Sequence, residues 1–251
     1  MENPANKLSL PFSIEDLIGS SISEPKGVGK LFESKELPNK IIRVETFDEL
    51  SVRHGDKVDV LELVNDAKGL YQELESKYGI IVPAEFYTAE NKVFTIVDKI
   101  EGKHLNELEN SAEIVSSIEK LYVSVARYFL DKFKEGGLGL WDINGQSQYI
   151  YGKKAGEKDK KIYLIDTDIW LNNNEEGISL SVCWLTRHLS GLENHFNIRF
   201  FEVRNQIKQF LDQYLSTNAD GLKNPNINAI NDFLNYKKSD YNPKTAIPVF
   251  E

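Results

Sequence analysis

The stretch from 111 to 135 constrains this chain more than any other. Ile114, Ile118, Leu121, Tyr122, Val125, Tyr128, Phe129 and Phe133 recur at three- and four-residue steps and form one apolar stripe, which predicts a long amphipathic helix. The pair Gly136-Gly137 stops it. The text before it is different in kind. From Ile14 to Glu45 it reads as short β segments broken by glycine and proline: DLIGSSISEPKGVGKLFES has the look of a hairpin, and after the turn ELPN the run KIIRVE is a compact β-branched strand. A helix from about Val58 to Tyr78 interrupts this β text, carried by Val60, Leu61, Val64, Ala67, Leu70, Tyr71 and Leu74, with Gly79 as its stop. IIVPAEFYTAENKVFTIVDKI then gives two strands around the turn TAENK. Glu101-Gly102 ends the second, and a polar linker with a short helical piece follows.

Beyond the long helix, LGLWDINGQSQYIYG predicts strand, loop and strand, and KIYLIDTDIWL a further strand. The basic turn GKKAGEKDKK between them reads as a solvated hairpin tip, with a partner-binding role as the alternative. From Ser179 the pattern is helical again, over 179–191, 196–216 and 226–236. The first twelve residues, with Pro4 and Pro11, and the closing SDYNPKTAIPVFE read as tails. A β-rich front with one helix inserted, followed by a helical back carrying small strands, predicts an α+β protein with two lobes and a cleft between them.

Composition narrows the function classes. The chain has 30 Lys+Arg against 39 Asp+Glu, a formal net charge of −9. Non-specific nucleic-acid binding needs a basic face and an anionic membrane attracts one, so the expectation is no nucleic acid and no membrane among the partners. One cysteine, Cys183, rules out an intramolecular disulfide framework and a zinc site built on several thiolates. The opening MENPANKLSLPF lacks a basic start followed by an apolar run, and no stretch approaches the ~20 apolar residues of a membrane span, so a cytoplasmic protein is expected.

Chemistry concentrates between Leu138 and Leu171. Asp142 and Asp166 each follow a short apolar run, LGLW and IYLI, and stand 24 residues apart; Asp168 adds a third carboxylate on the same strand face as Asp166. Carboxylates at the ends of buried strands cost desolvation unless they hold a cation or act on a proton. Oxygen ligands of this kind suit Mg²⁺ on a polyphosphate. The competing reading is local: Asp142 caps the INGQ turn, and Asp166 and Asp168 cap a strand end.

The order of parts resembles the protein-kinase-like fold, the group that includes protein kinases and small-molecule kinases such as the aminoglycoside phosphotransferases. The resemblance covers about residues 14–200. VFTIVDKIEGKHLNEL looks like the fifth strand, hinge and following helix, LWDINGQSQYIYG like the catalytic loop, and KIYLIDTD like the strand carrying the metal-binding Asp. It implies one domain at 13–236, with an antiparallel β-rich N-lobe at about 13–100 and a reduced helical C-lobe at about 101–236, between tails at 1–12 and 237–251. It implies ATP and Mg²⁺ as cofactors. Asp142 matches the catalytic Asp that orients or deprotonates the acceptor hydroxyl, and Asp166 the Asp that binds Mg²⁺, with Asp168 beside it. Gln148, followed by Tyr149-Ile150-Tyr151, stands where the family places a metal-binding amide, since Ser147 occupies the Asn position itself. Gly19, Gly27 and Gly29 fall where a phosphate-covering loop would lie, with wider spacing than the family's. Arg43 takes the place of the third-strand lysine, and a planar fork is not equivalent to a compact ammonium. Glu73, or else Asp66, is the helix carboxylate placed to pair with it.

Two departures bear on the substrate. Leu140-Trp141 replaces the His-Arg that precedes the catalytic Asp in many protein kinases, and Thr167-Asp168 replaces Phe-Gly. NNNEEG at 172–177 is a short substitute for an activation segment, with no Ala-Pro-Glu after it, and only 83 residues follow Asp168. The resemblance therefore implies phosphoryl transfer to a hydroxyl on a small or atypical molecule; the alternatives are a catalytically impaired binding module and, more distantly, nucleotidyl transfer. Elsewhere His188 reads as a core-edge histidine, Cys183 as inert, and the aromatic run Phe196–Tyr214 as packing.

Overall fold

The computed structural model describes residues 10–14, 21–23, 30–54, 59–136, 140, 141, 143, 146–165, 168, 169, 175–218 and 220–235. The β-branched run KIIRVET becomes the centre of a five-stranded antiparallel sheet. Its strands β1 (Ser21–Ser23), β2 (Lys30–Phe32), β3 (Lys40–Thr46), β4 (Ala84–Ala89) and β5 (Lys92–Asp98) lie in the order β1-β2-β3-β5-β4. The β4–β5 turn closes on Glu90 and Asn91, both at positive φ (51° and 57°), the geometry a two-residue hairpin favours.

Strand alternation gives this sheet two unlike faces. Ile42, Phe94 and Ile96 form the outer one, covered by Leu10, Phe12 and Ile14. Phe12 is 6% exposed and meets the Phe94 ring edge-on at 5.7 Å. The expected tail at 1–12 is thus corrected from Leu10 onward: an apolar sheet face needs cover, and this segment supplies it. The inner face carries Phe86 and Val93, which join the main core.

Two helices and a π turn come between β3 and β4, and the long helix comes later in the chain. α1 (Phe47–His54) continues directly from β3. Its start is a reciprocal cap: the Glu49 N–H donates to the Thr46 hydroxyl (3.2 Å) and the Thr46 N–H to the Glu49 carboxylate (2.7 Å). α2 (Val60–Glu73) is capped by Asp59, whose carboxylate accepts from the Leu61 and Glu62 N–H groups at 2.9 and 3.3 Å. The helix expected to Tyr78 ends as a π turn, Leu74–Tyr78, which stops at Gly79 with φ 65°, a conformation glycine adopts without strain. α3 (Ala112–Glu135) is the long helix, and Ile118, Tyr122, Val125, Tyr128 and Phe129 on its stripe are completely buried.

Two expected strands are redrawn. Glu101-Gly102 does not end the hairpin strand. β5 stops at Asp98, and β6 (Ile100–His104) opens a second antiparallel sheet, β6-β8-β9, with β8 (Tyr149–Lys154) and β9 (Lys161–Leu164). Gly102 faces Gly152 there, and a Cβ on Gly152 would lie 2.8 Å from the Gly102 Cα, so the two strands approach this closely only because both residues are bare. KIYLIDTDIWL is likewise not one strand. β9 ends at Leu164, and β10 (Asp168–Ile169) pairs instead with β7 (Leu140–Trp141).

The chain closes with α4 (Glu175–Phe196), α5 (Phe201–Thr217) and α6 (Pro225–Asn235). These are pinned by one buried ion pair. Arg204 of α5 donates twice to the Glu193 carboxylate of α4 (2.8 and 2.6 Å) and once to the Phe233 carbonyl of α6 (2.7 Å). Its guanidinium also stacks 4.0 Å from the Phe233 ring, and Glu193 accepts the Phe200 N–H at 3.1 Å. The architecture is α+β, and among the described residues no helix is long and apolar enough to cross a membrane.

Two substitutions test this account. Gly152→Ala forces β6 from β8 and should cost about 2–3 kcal/mol in urea unfolding, the scale of an overpacked core. Arg204→Met leaves the buried Glu193 charge without its partner and should cost about 3–5 kcal/mol, while the double variant Arg204→Met with Glu193→Leu recovers part of that loss.

Candidate functional site

Asp142 and Asp166, with Gly19, Gly27 and Gly29, lie outside the described residues, but the elements flanking the two aspartates are fixed. β7 and β10 form a two-rung ladder that sets Trp141 opposite Asp168 and Leu140 opposite Ile169. α4 supports this ladder, because the Ser181 hydroxyl stands 3.1 Å from the Leu140 carbonyl. On the far side of Asp142, the buried Ile143 accepts the Tyr149 hydroxyl through its carbonyl at 2.6 Å. Gln148 ends the short turn Gln146–Gln148, and its carbonyl accepts the Ile165 N–H at 2.9 Å. The backbone of Gln148 is therefore joined to the residue before Asp166. α2 packs against β10, so Asp168 stands at the junction of helix and ladder; its side chain lies outside the described set.

The five-stranded sheet carries Arg43 on its inner face. Arg43 on β3 lies directly opposite Thr95 on β5, which in turn lies opposite Phe86 on β4. Cross-strand partners share a face, so Arg43, Thr95 and Phe86 all point toward the main core. The Tyr71 ring of α2 meets Phe86 edge-on at 5.3 Å and closes that face. Glu45, two residues on from Arg43 and 2% exposed, sits with its carboxylate 3.1 Å from the Arg43 Nε. The Nε–H does not point along that line, so the contact is an ion pair and not a hydrogen bond.

The expected helix partner is corrected. Glu73 pairs with Lys132 of α3 at 2.7 Å, because it lies at the C-terminal end of α2, just before the π turn that packs against α3. Lys40 occupies the other face of β3, with Ile42, and pairs with Asp98 at 2.8 Å. Sequence reading missed Glu45 because charge on a strand carries no sign of which face is covered. The signal available was parity: Glu45 shares the face of Arg43.

The other singled-out residues fall as follows. His188 is 8% exposed and bonded to the Tyr122 hydroxyl through Nε2, a core-edge position. Cys183 is buried, and burial pushes its thiol up, with Arg187 a weaker opposing influence, so it is no thiolate at neutral pH. The basic hairpin tip is exposed at Lys158, Lys160 and Lys161. Among the described residues no three His, Cys, Asp or Glu side chains gather as a metal group. The expected metal set of Asp166, Asp168 and Gln148 is an all-oxygen one, which matches a hard divalent cation.

Comparison with protein-family models finds none that matches this chain, and comparison with curated proteins finds no matching sequence.

The Arg43–Glu45 contact is open to direct test. Arg43→Met takes the cation away from a carboxylate that is almost fully buried and should lower stability by about 2–3 kcal/mol in urea unfolding, less than a fully buried pair because Arg43 itself keeps 20% exposure. Glu45→Gln, which removes the charge but keeps a polar group, should cost less.

Proposed function

We propose that this chain is an ATP- and Mg²⁺-dependent phosphotransferase of the protein-kinase-like type, acting on a hydroxyl of a small or atypical molecule. In this reading residues 13–100 form the N-lobe, 101–236 a reduced C-lobe, and the cleft lies between the sheet's inner face and the β7–β10 ladder. The observation that carries it is the meeting of three separated segments. The strand before Asp142 pairs with the strand after Asp166, and the Gln148 carbonyl holds the residue before Asp166 at 2.9 Å. That convergence is what a metal-and-base site requires and what three independent turn caps would have no reason to adopt.

Bound Mg-ATP would supply a transferable phosphoryl group with part of its charge neutralised. The chain's own parts then divide the work. Asp166, Asp168 and Gln148 offer carboxylate and amide oxygens to the metal. Arg43 offers a fixed positive charge from the sheet side. Asp142 orients the acceptor hydroxyl and takes its proton as the oxygen attacks. Little covalent chemistry falls to the protein, so positioning and charge stabilisation do most of it. Leu140-Trp141 in place of His-Arg and Thr167-Asp168 in place of Phe-Gly support a small or atypical acceptor.

A second reading, a binding module without turnover, is favoured by two ion pairs: Arg43 is already engaged by the buried Glu45, and Glu73 is committed to Lys132. The two readings separate in one experiment. Millimolar Mg-ATP should raise the melting temperature of the wild type, an occupied site at a hundred times its Kd giving about 2.7 kcal/mol. Asp166→Ala should abolish that shift, and Asp142→Asn should keep it while cutting turnover by about 10²–10³. A shift without turnover in the wild type selects the binding module; no shift sinks both.

A further inference from the structure

The five-stranded sheet and the β6-β8-β9 sheet meet at a single residue, since only Lys99 separates β5 from β6. Lys99 belongs to the first sheet: its N–H donates to the Asn39 carbonyl at 2.9 Å, and its ammonium pairs with Glu33. Across this joint runs a row of charges of alternating sign: Glu85, Lys40, Asp98, Lys154 and Glu157. The closest N–O distances between neighbours in the row are 3.9, 2.8, 3.6 and 4.0 Å. Glu85, Lys40 and Asp98 come from β4, β3 and β5 of the first sheet. Lys154 ends β8 of the second sheet, opposite Ile100 of β6. Glu157, in the loop beyond, is held in place by the Lys154 N–H at 3.3 Å and by the Tyr163 hydroxyl.

The row lies on one side of the joint. Lys40, Asp98 and Glu85 share the outer face of the first sheet with Ile42 and Ile96. Lys154 stands three residues from the core tyrosine Tyr151 and so leaves β8 by the opposite face. On the inner side, Phe86 and Val93 of the first sheet and Tyr151, Ile162 and Leu164 of the second belong to one core. The outer cluster around Ile42, Phe94 and Ile96 takes no described residue from the second sheet. Dry packing therefore ties the two sheets on one side and charge ties them on the other. Lys40, Asp98 and Lys154 keep 31%, 28% and 20% of their side-chain surface exposed, so salt reaches the row but not the packing. A lone exposed pair is worth little, but here each inner member has a neighbour of opposite sign on both sides.

We propose that this row is an ionic latch that sets the angle between the two sheets and slackens as ionic strength rises. Asp98 is its centre, with Oδ1 toward Lys40 and Oδ2 toward Lys154. Only the Asp98–Lys154 contact passes from one sheet to the other, so a change of angle stretches that contact while the packed inner side serves as the pivot. At 1 M salt the Debye length falls to about 3 Å, shorter than the contact itself. The latch goes beyond the phosphotransferase reading and does not depend on it.

The test uses the full chain and two readouts. One is hydrogen–deuterium exchange of the β6 amides at 100–104. The other is the spin-label distance between Thr88→Cys and Lys160→Cys, both exposed and outside the row, with the native Cys183 buried. At about 50 mM NaCl, Lys154→Gln should speed the β6 exchange about threefold and broaden the distance distribution, with α5 unchanged. At about 1 M NaCl the wild type and Lys154→Gln should exchange alike, because salt has already screened the contact. In an Asp98→Asn background, Lys154→Gln should add nothing, since its partner has lost its charge. Wild-type exchange in Lys154→Gln, or a gap between the two that survives about 1 M NaCl, overturns the latch. An effect of Lys154→Gln that is undiminished beside Asp98→Asn also overturns it, and assigns the effect to the Lys154 contact with the Tyr163 ring at 5.8 Å. Faster exchange with an unbroadened distance distribution overturns its control of the angle. Should Asp98→Asn fail to fold, the salt series on Lys154→Gln decides alone.

Discussion

A phenol that enters a protein core gives up water at its hydroxyl and must find a partner there, and in this molecule that requirement organises the packing around α3. Tyr78, at the end of the π turn, donates to Asp131 of α3 at 2.9 Å. Tyr151 of β8 donates to Glu113 at the opposite end of the same helix at 2.6 Å. Tyr122, on α3 itself, bonds to His188 of α4, and Tyr149 to the Ile143 carbonyl. Burial is the leading cause that pushes Tyr78 and Tyr151 up to about 12, so each hydroxyl keeps its proton at neutral pH and serves as a directional donor. An aliphatic core of the same volume would have allowed these elements to slide. Hydroxyls do not, because each fixes a distance and an angle between two elements.

The consequence for α2 is anchorage. Glu73 with Lys132, and Tyr78 with Asp131, fasten its C-terminal end to α3, and Lys77 adds a weaker contact to Asp131 at 3.7 Å. Held in this way, Glu73 is directed to α3 and not to the sheet. The cation on β3 takes its counter-charge from its own strand, at Glu45. The arrangement is compact, since residues two apart on a strand lie on one face, but it costs the desolvation of a carboxylate that is almost completely covered. Arg43 thus serves two demands, neutralising Glu45 and, in the proposed function, facing a phosphate.

How much of this could be read from the residues alone divides by range. The α3 stripe, the α2 periodicity and the stop at Gly79 were legible because helix signals repeat within a few residues. The cap of α1 is equally local, since Thr46-Phe47-Asp48-Glu49 is a capping box. The splitting of KIYLIDTDIWL was not legible. Nothing within that run says that Ile165 will give its N–H to Gln148 or that Asp168 will pair with Trp141, because both partners lie elsewhere in the chain. Gly102 and Gly152 present the same difficulty: each looked like a strand end or turn, and only their register shows a contact that excludes a Cβ. For the candidate site, the strand carrying Arg43 and the turn ending at Gln148 were legible, whereas the pairing of Glu73 was not. Choosing among carboxylates on a helix requires knowing which neighbour crosses it.

One short link holds the two halves of the candidate site in register. Between the π turn and β4 the chain passes beside β9, where Ile81 bridges Leu164 in parallel. Leu164 donates to the Ile80 carbonyl and accepts the Val82 N–H, both at 3.0 Å. Leu164 is also one residue from Ile165, which is bonded to Gln148, and two from Asp166. The segment leading into the five-stranded sheet is therefore tied by backbone bonds to the strand leading into the proposed metal site. Ile80, Ile81, Val82 and Leu164 are all buried, so water cannot compete for those bonds. Any movement of the sheet over the ladder must either carry β9 with it or break them. In the proposed function, any opening of the cleft therefore has to come from elsewhere in the chain.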